Sequence, residues 1–156
     1  MELAEQILRM ISYLAMPFVA GGAAIIAWQQ AKTNRHKLLL DGYDRRIQVY
    51  NQVKELLGSI TRRGTATEQE IFKFAIAISE AEFLFGPEIV KYLNEIYSHA
   101  VDLARWSSEY RDYSQTQPPN YNHAEVVKNM HAEKDWLMRQ YEPARQAFKK
   151  YFQVGQ

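Results

Sequence analysis

The chain has no cysteine. That excludes a disulfide framework, a thiolate nucleophile and any Cys-ligated zinc or iron–sulfur centre. Its seven glycines are scattered, and none precedes a Lys-Ser/Thr pair, so no phosphate-cradling loop is present. Neither a Gly-x-Ser-x-Gly elbow nor His-Glu-x-x-His occurs, and no His stands three residues after a Glu, the spacing that four-helix di-iron sites use. Strand-like alternation and hairpin turns are also missing. Net charge is only +1 over 156 residues, too little to draw the whole chain toward nucleic acid. No nucleic-acid partner and no cofactor are expected.

The charge that is present is unevenly placed. Residues 32–63 hold eight Lys/Arg against Asp41, Asp44 and Glu55, whereas residues 64–156 hold ten against thirteen Asp/Glu. The basic segment begins directly after the most informative feature of the chain: Met10 to Ala31 carries no charged side chain. Its heart, Met10 to Trp28, is about 28 Å long as a helix at ~1.5 Å per residue, close to the ~30 Å hydrocarbon core of a bilayer. The preceding MELAEQILR is acidic on balance and the run is long, neither of which suits a cleaved signal peptide. Only Ser12 and Tyr13 offer a polar face, so a buried helix of a soluble bundle is the weaker reading. Pro17, Gly21 and Gly22 are tolerated in spanning helices. Tyr13 and Trp28 are candidate interface anchors, with Lys32, Arg35 and Lys37 as the basic flank. That flank, with Arg45 and Arg46 further on, either contacts anionic head groups or serves only to set topology. The asymmetry of the flanks places residues 32–156 in the cytoplasm and the N-terminus outside. Ala20, Gly21 and Ala24 form a small-residue face that would let another helix, such as one from a second copy, approach closely.

The remainder reads as helices. Leu39, Tyr43, Ile47 and Tyr50 form one stripe and Val49, Val53, Leu56 and Ile60 a second, in a helix continuous with the apolar run; Gly58 and Gly64 are expected to bracket a turn. Thr67 and Glu70 have capping-box spacing. Ile71 to Phe85 forms the next helix, with Gly86-Pro87 ending it and opening another that runs to about Tyr113. Asn122 and Glu125 repeat the cap, and Pro143 kinks the last helix or starts a short one. The expected architecture is all-α: residues 1–31 as tail and transmembrane helix, and 32–156 as an antiparallel bundle of about four helices.

Titratable residues offer little. Glu95 and His99 stand four apart on one helix face, and Glu82, Glu133 and His131 lie elsewhere; such pairs are ordinarily helix contacts. Glu80 and Glu82 cannot share a face, so one turned inward would need Arg45 or Arg46 as counter-charge; two solvated carboxylates are the alternative. Tyr92, Tyr97, Tyr110 and Tyr113 suit either an interface or a small core with wet hydroxyls.

Trp28-Gln29-Gln30-Ala31-Lys32-Thr33-Asn34-Arg35, the stretch from Lys37 through Tyr43-Asp44-Arg45-Arg46 to Tyr50, and Glu80-Ala81-Glu82-Phe83-Leu84-Phe85-Gly86 together resemble a group of small bacterial proteins with one N-terminal transmembrane helix and a cytoplasmic helical domain. The resemblance covers roughly residues 10–100. It implies bacterial origin and inner-membrane topology, and it transfers no activity or catalytic residue. The expected role is a non-enzymatic membrane-anchored module whose partners are the bilayer, an unidentified protein and a second copy of itself. A soluble bundle whose first helix is buried or docks a partner is the second reading. A bundle enzyme or ligand sensor using Glu82, Glu95 and His99 is the third.

Overall fold

The computed structural model describes residues 2–152, and the side chains of residues 25–35, 37 and 40–152. Five helices follow one another: α1 (Glu2–Arg63), α2 (Glu68–Leu84), α3 (Pro87–Glu109), α4 (His123–Met138) and α5 (Tyr141–Lys149), with no strand among the described residues. The chain divides into two compact units, Met1–Gly42 and Tyr43–Gln156. This boundary falls later than the expected 31/32 division. The cause is packing: Trp28, Lys32, Arg35, Lys37 and Leu40 are exposed, whereas Tyr43 meets Phe152 edge-on at 6.1 Å and Val49 is the first fully buried side chain among the described residues.

The second unit is a helical bundle. Val49, Val53, Leu56, Leu57 and Ile60 turn one stripe of α1 into the core. Gly58 does not open a turn; α1 runs on to Arg63 and closes at Gly64, whose φ of +82° takes the left-handed region that glycine tolerates and whose N–H reaches the Ile60 carbonyl at 2.8 Å. Thr67 then caps α2, its hydroxyl accepting from the Glu70 amide while Glu70 accepts in return from the Thr67 amide. Ser59 donates to Glu70 at 2.5 Å near the start of α2, and Arg46 donates to the Leu84 carbonyl at 3.1 Å near its end. Those two links make α1 and α2 antiparallel.

Gly86 adopts an ordinary φ of −71° as the N-cap of α3, not a left-handed helix stop, and Pro87 opens the helix where its missing N–H costs nothing. Ile89, Leu93, Ile96, Ala100 and Leu103 give α3 an unbroken buried stripe at helical spacing. It ends at Glu109, short of Tyr113, and a loop leads to the Asn122 cap of α4. Tyr92 donates to Gln140 and His99 meets Glu133, so α3 and α4 are antiparallel as well. The final helix begins at Tyr141, before Pro143, which therefore sits in the first turn where it neither kinks nor breaks anything. Phe148 seats α5 against Tyr50 and Phe85, with ring centroids 5.2 and 5.1 Å away. Glu88 accepts from Lys150 and Tyr151, both at 2.6 Å, tying the chain end to the start of α3. These hydrogen bonds hold the Glu88 carboxyl down at about 2.

Candidate interaction surface

The helix α2 presents two apolar faces. Ile71, Phe74, Ala77, Ile78 and Ala81 are buried. Phe72, Ile76 and Phe83 are 66%, 48% and 88% exposed. At ~100° per residue, Phe72, Ile76, Ser79 and Phe83 fall within an arc of about 60° that lies opposite the buried stripe. Leaving a large apolar side chain in water forgoes about 1.5–3 kcal/mol that burial would supply. Three such residues in one seam make a patch rather than scattered exposure. Reading residues 71–85 as one apolar helix missed the division. The signal was present as two interleaved 4–3–4 series, and only the burial of Phe74 and Ala81 decides which one faces the core.

Charges flank the seam. Lys73 and Glu80 border it on one side, where Gln48, Gln52 and Ile76 help line a groove of about 360 Å³ between α1 and α2. Glu68 and Glu82 border it on the other. Lys73, Glu80 and Glu82 are all exposed, and none joins an ion pair among the described residues.

Of the two alternatives for Glu80 and Glu82, an inward carboxylate paired with Arg45 or Arg46 is absent among the described residues, and two solvated carboxylates are found. Arg45 is exposed, and Arg46 is committed elsewhere: it donates to the Leu84 carbonyl and its guanidinium lies 6.0 Å from the Tyr151 ring. A free backbone carbonyl at the end of α2 accepts this cation without the desolvation of a second charge.

Nor do Glu82, Glu95 and His99 assemble. His99 Nδ1 lies 2.5 Å from Glu133 of α4, which is its hydrogen-bond partner in place of Glu95, and its ring stacks on Trp136 at 3.7 Å. Glu82 is exposed. His131 lines a separate cleft of about 270 Å³ with Arg63, Ser107, Tyr110 and Lys134. Arg63 is already engaged by Glu70. No group of three or more His, Asp or Glu among the described residues could hold a metal ion. Of the four tyrosines in question, Tyr92 and Tyr97 pack against the core, whereas Tyr110 and Tyr113 are exposed.

In the first unit, Trp28 is 66% exposed with the Lys32 ammonium 5.6 Å from its ring, and Ile25, Ile26 and Leu40 are exposed too. Lys32, Arg35 and Lys37 are exposed. The side chains of Tyr13, Ala20, Gly21 and Ala24 lie outside the described residues. Among the described residues no helix is long and apolar enough to cross a membrane; the side chains of the uncharged run through residue 24 lie outside those described. No family model matches the chain, and neither a curated protein nor a solved structure matches it.

Proposed function

We propose that this chain is a non-enzymatic, single-pass protein of a bacterial inner membrane, N-terminus outside, whose cytoplasmic helical bundle docks a protein partner at the bilayer. The observation that carries the reading is the uncharged run Met10–Ala31, closed by Lys32, Arg35 and Lys37. Its length matches the hydrocarbon core, and the Lys/Arg bias of its flanks sets the orientation. Ile25, Ile26 and Trp28 support it, because these large apolar side chains stand exposed, and lipid would remove them from water. Trp28 near the basic end suits an interfacial anchor. The bacterial inner membrane itself rests on the resemblance carried by Trp28–Arg35, Lys37–Tyr50 and Glu80–Gly86. The docking role rests on the outer seam of α2, which leaves Phe72, Ile76 and Phe83 uncovered.

Membrane extraction tests the anchor. The full chain is expected to stay in the pellet after alkaline carbonate and to leave it only with detergent; release by carbonate alone would overturn the span and favour a soluble bundle with a docking first helix. A reporter fused after Gln156 is expected to be active on the cytoplasmic side. Extracytoplasmic activity would reverse the topology.

A further inference from the structure

The outer seam of α2 has a symmetry that its burial pattern alone does not require. Its four positions, 72, 76, 79 and 83, are spaced 4, 3 and 4, so the series reads the same in both directions about a point between Ala77 and Ile78. A two-fold interface needs a patch complementary to itself. An α2 packed antiparallel on a second α2 about that point sets Phe72 against Phe83 of the other copy, and Ile76 against its Ser79.

The charges obey the same operation. A two-fold axis perpendicular to two antiparallel helices keeps each flank on its own side, so Lys73 meets the flank that carries Lys73 and Glu80 of the other copy. Lys73 lies 4.5 residues before the centre and Glu80 lies 2.5 after it. Across the seam the two are therefore offset by only two residues, about 3 Å along the axis. The pair occurs twice, once from each copy. The two Glu80 side chains are offset by about 7.5 Å and the two Glu82 by about 13 Å along the axis, so no like charges meet head-on. Small Ser79 near the centre permits close approach. Glu68, Glu80 and Glu82 on both flanks, with Lys73 as the one base, argue against an anionic lipid surface as the occupant of this face.

We infer that the exposed face of α2 is a self-association surface, on which a second copy of this chain packs its own α2 antiparallel, Lys73 of each copy pairing with Glu80 of the other. This deepens the proposed docking role by naming the partner. The seam is short beside a standard interface of ~800 Å² per partner, so pairing draws on the high local concentration that attachment to one membrane provides.

The absence of native cysteine permits a clean test. Full-length chain with Ser79→Cys, in its own membranes, is treated with a short bis-maleimide; Ser98→Cys on α3 is the comparison. A product of twice the chain mass is expected from Ser79→Cys and not from Ser98→Cys. Lys73→Glu or Glu80→Lys alone should lower its yield about fivefold, and the two combined should restore it. No dimer from Ser79→Cys, equal dimer from both positions, linkage to a different protein, or indifference to the charge variants would each overturn the inference. Monomer in carbonate-resistant membranes removes the pairing and leaves the anchor. A charge-sensitive dimer on a chain that carbonate releases supports the pairing and removes the anchor.

Discussion

His99 lies almost flat on Trp136, ring centroids 3.7 Å apart and planes 21° apart, and joins two helices in doing so. Glu133 sits three residues before Trp136, one turn back on the same face of α4, and meets His99 Nδ1 at 2.5 Å. One imidazole from α3 is thus held by a ring and a carboxylate from α4, all half-buried. Replacing His99 with Ala removes both contacts and is expected to cost about 1–2 kcal/mol in urea unfolding. Glu133→Gln keeps an acceptor and should cost about half as much. A loss below about 0.5 kcal/mol for His99→Ala, the range of ordinary surface changes, would show that the contact contributes little to α3–α4 packing.

Phe148 is the residue through which the last helix is fastened. It is fully buried and packs its ring among Tyr50, Phe85 and Phe152. Phe148→Ala should destabilise the bundle by about 3–5 kcal/mol, since the transfer term and the cavity term add. Phe148→Leu fills most of the volume and should lose appreciably less. Limited proteolysis of the Ala variant should cut first within 141–152, because α5 has only nine residues with which to hold itself in place.

Local chemistry was readable from sequence, and pairing between helices was not. Thr67 and Glu70 announced the start of α2 because a cap depends on residues three apart. Asn122 announced α4 in the same way. Gly58 misled, because a glycine inside a helix is merely weak until its surroundings are known; here an added Cβ would stand 3.3 Å from Arg62 and 3.4 Å from Tyr141. Glu95 looked like the partner of His99 because i,i+4 contacts are the ones a sequence displays, whereas Glu133 arrives from 34 residues away. Arg46 found a carbonyl rather than a carboxylate, and carbonyls have no sequence signature. The same limit hid the outer seam of α2: either of its apolar stripes could have faced the core.

Tyr92 donates to the buried Gln140 at 3.1 Å, and Gln140 in turn donates to the Trp136 carbonyl. Tyr92→Phe leaves the Gln140 side-chain oxygen without this donor inside the bundle and should cost about 1–2 kcal/mol at neutral pH. Burial, with the Glu95 charge adding to it, pushes the Tyr92 hydroxyl up to about 12. An unfolded tyrosine ionises near 10, so the unfolded chain releases this proton first, and stability falls as pH rises from about 10 to about 12. Melting temperatures over that range should fall less steeply for Tyr92→Phe than for the native chain. Parallel curves would place the alkaline sensitivity elsewhere.

At the acid end, Glu70 plays the corresponding part. Burial alone would raise its carboxyl, but the Ser59 hydroxyl, the Thr67 amide and hydroxyl, and the Arg63 guanidinium all donate to it and hold it down at about 2. An unfolded glutamate protonates near 4.3, so between about pH 5 and pH 2 the unfolded chain binds this proton first. The stabilisation is complete above that window and is lost as pH falls through it. Ser59→Ala deletes the largest of the lowering contacts and one of the links from α1 to α2. At pH 7 it should therefore lower the melting temperature, and the gap from the native chain should narrow as pH drops toward 2. Glu70→Gln keeps acceptor geometry without the charge and should flatten this part of the acid limb. An unchanged acid limb in Glu70→Gln would mean that the remaining carboxylates, Glu88 and Glu142 among them, account for acid unfolding.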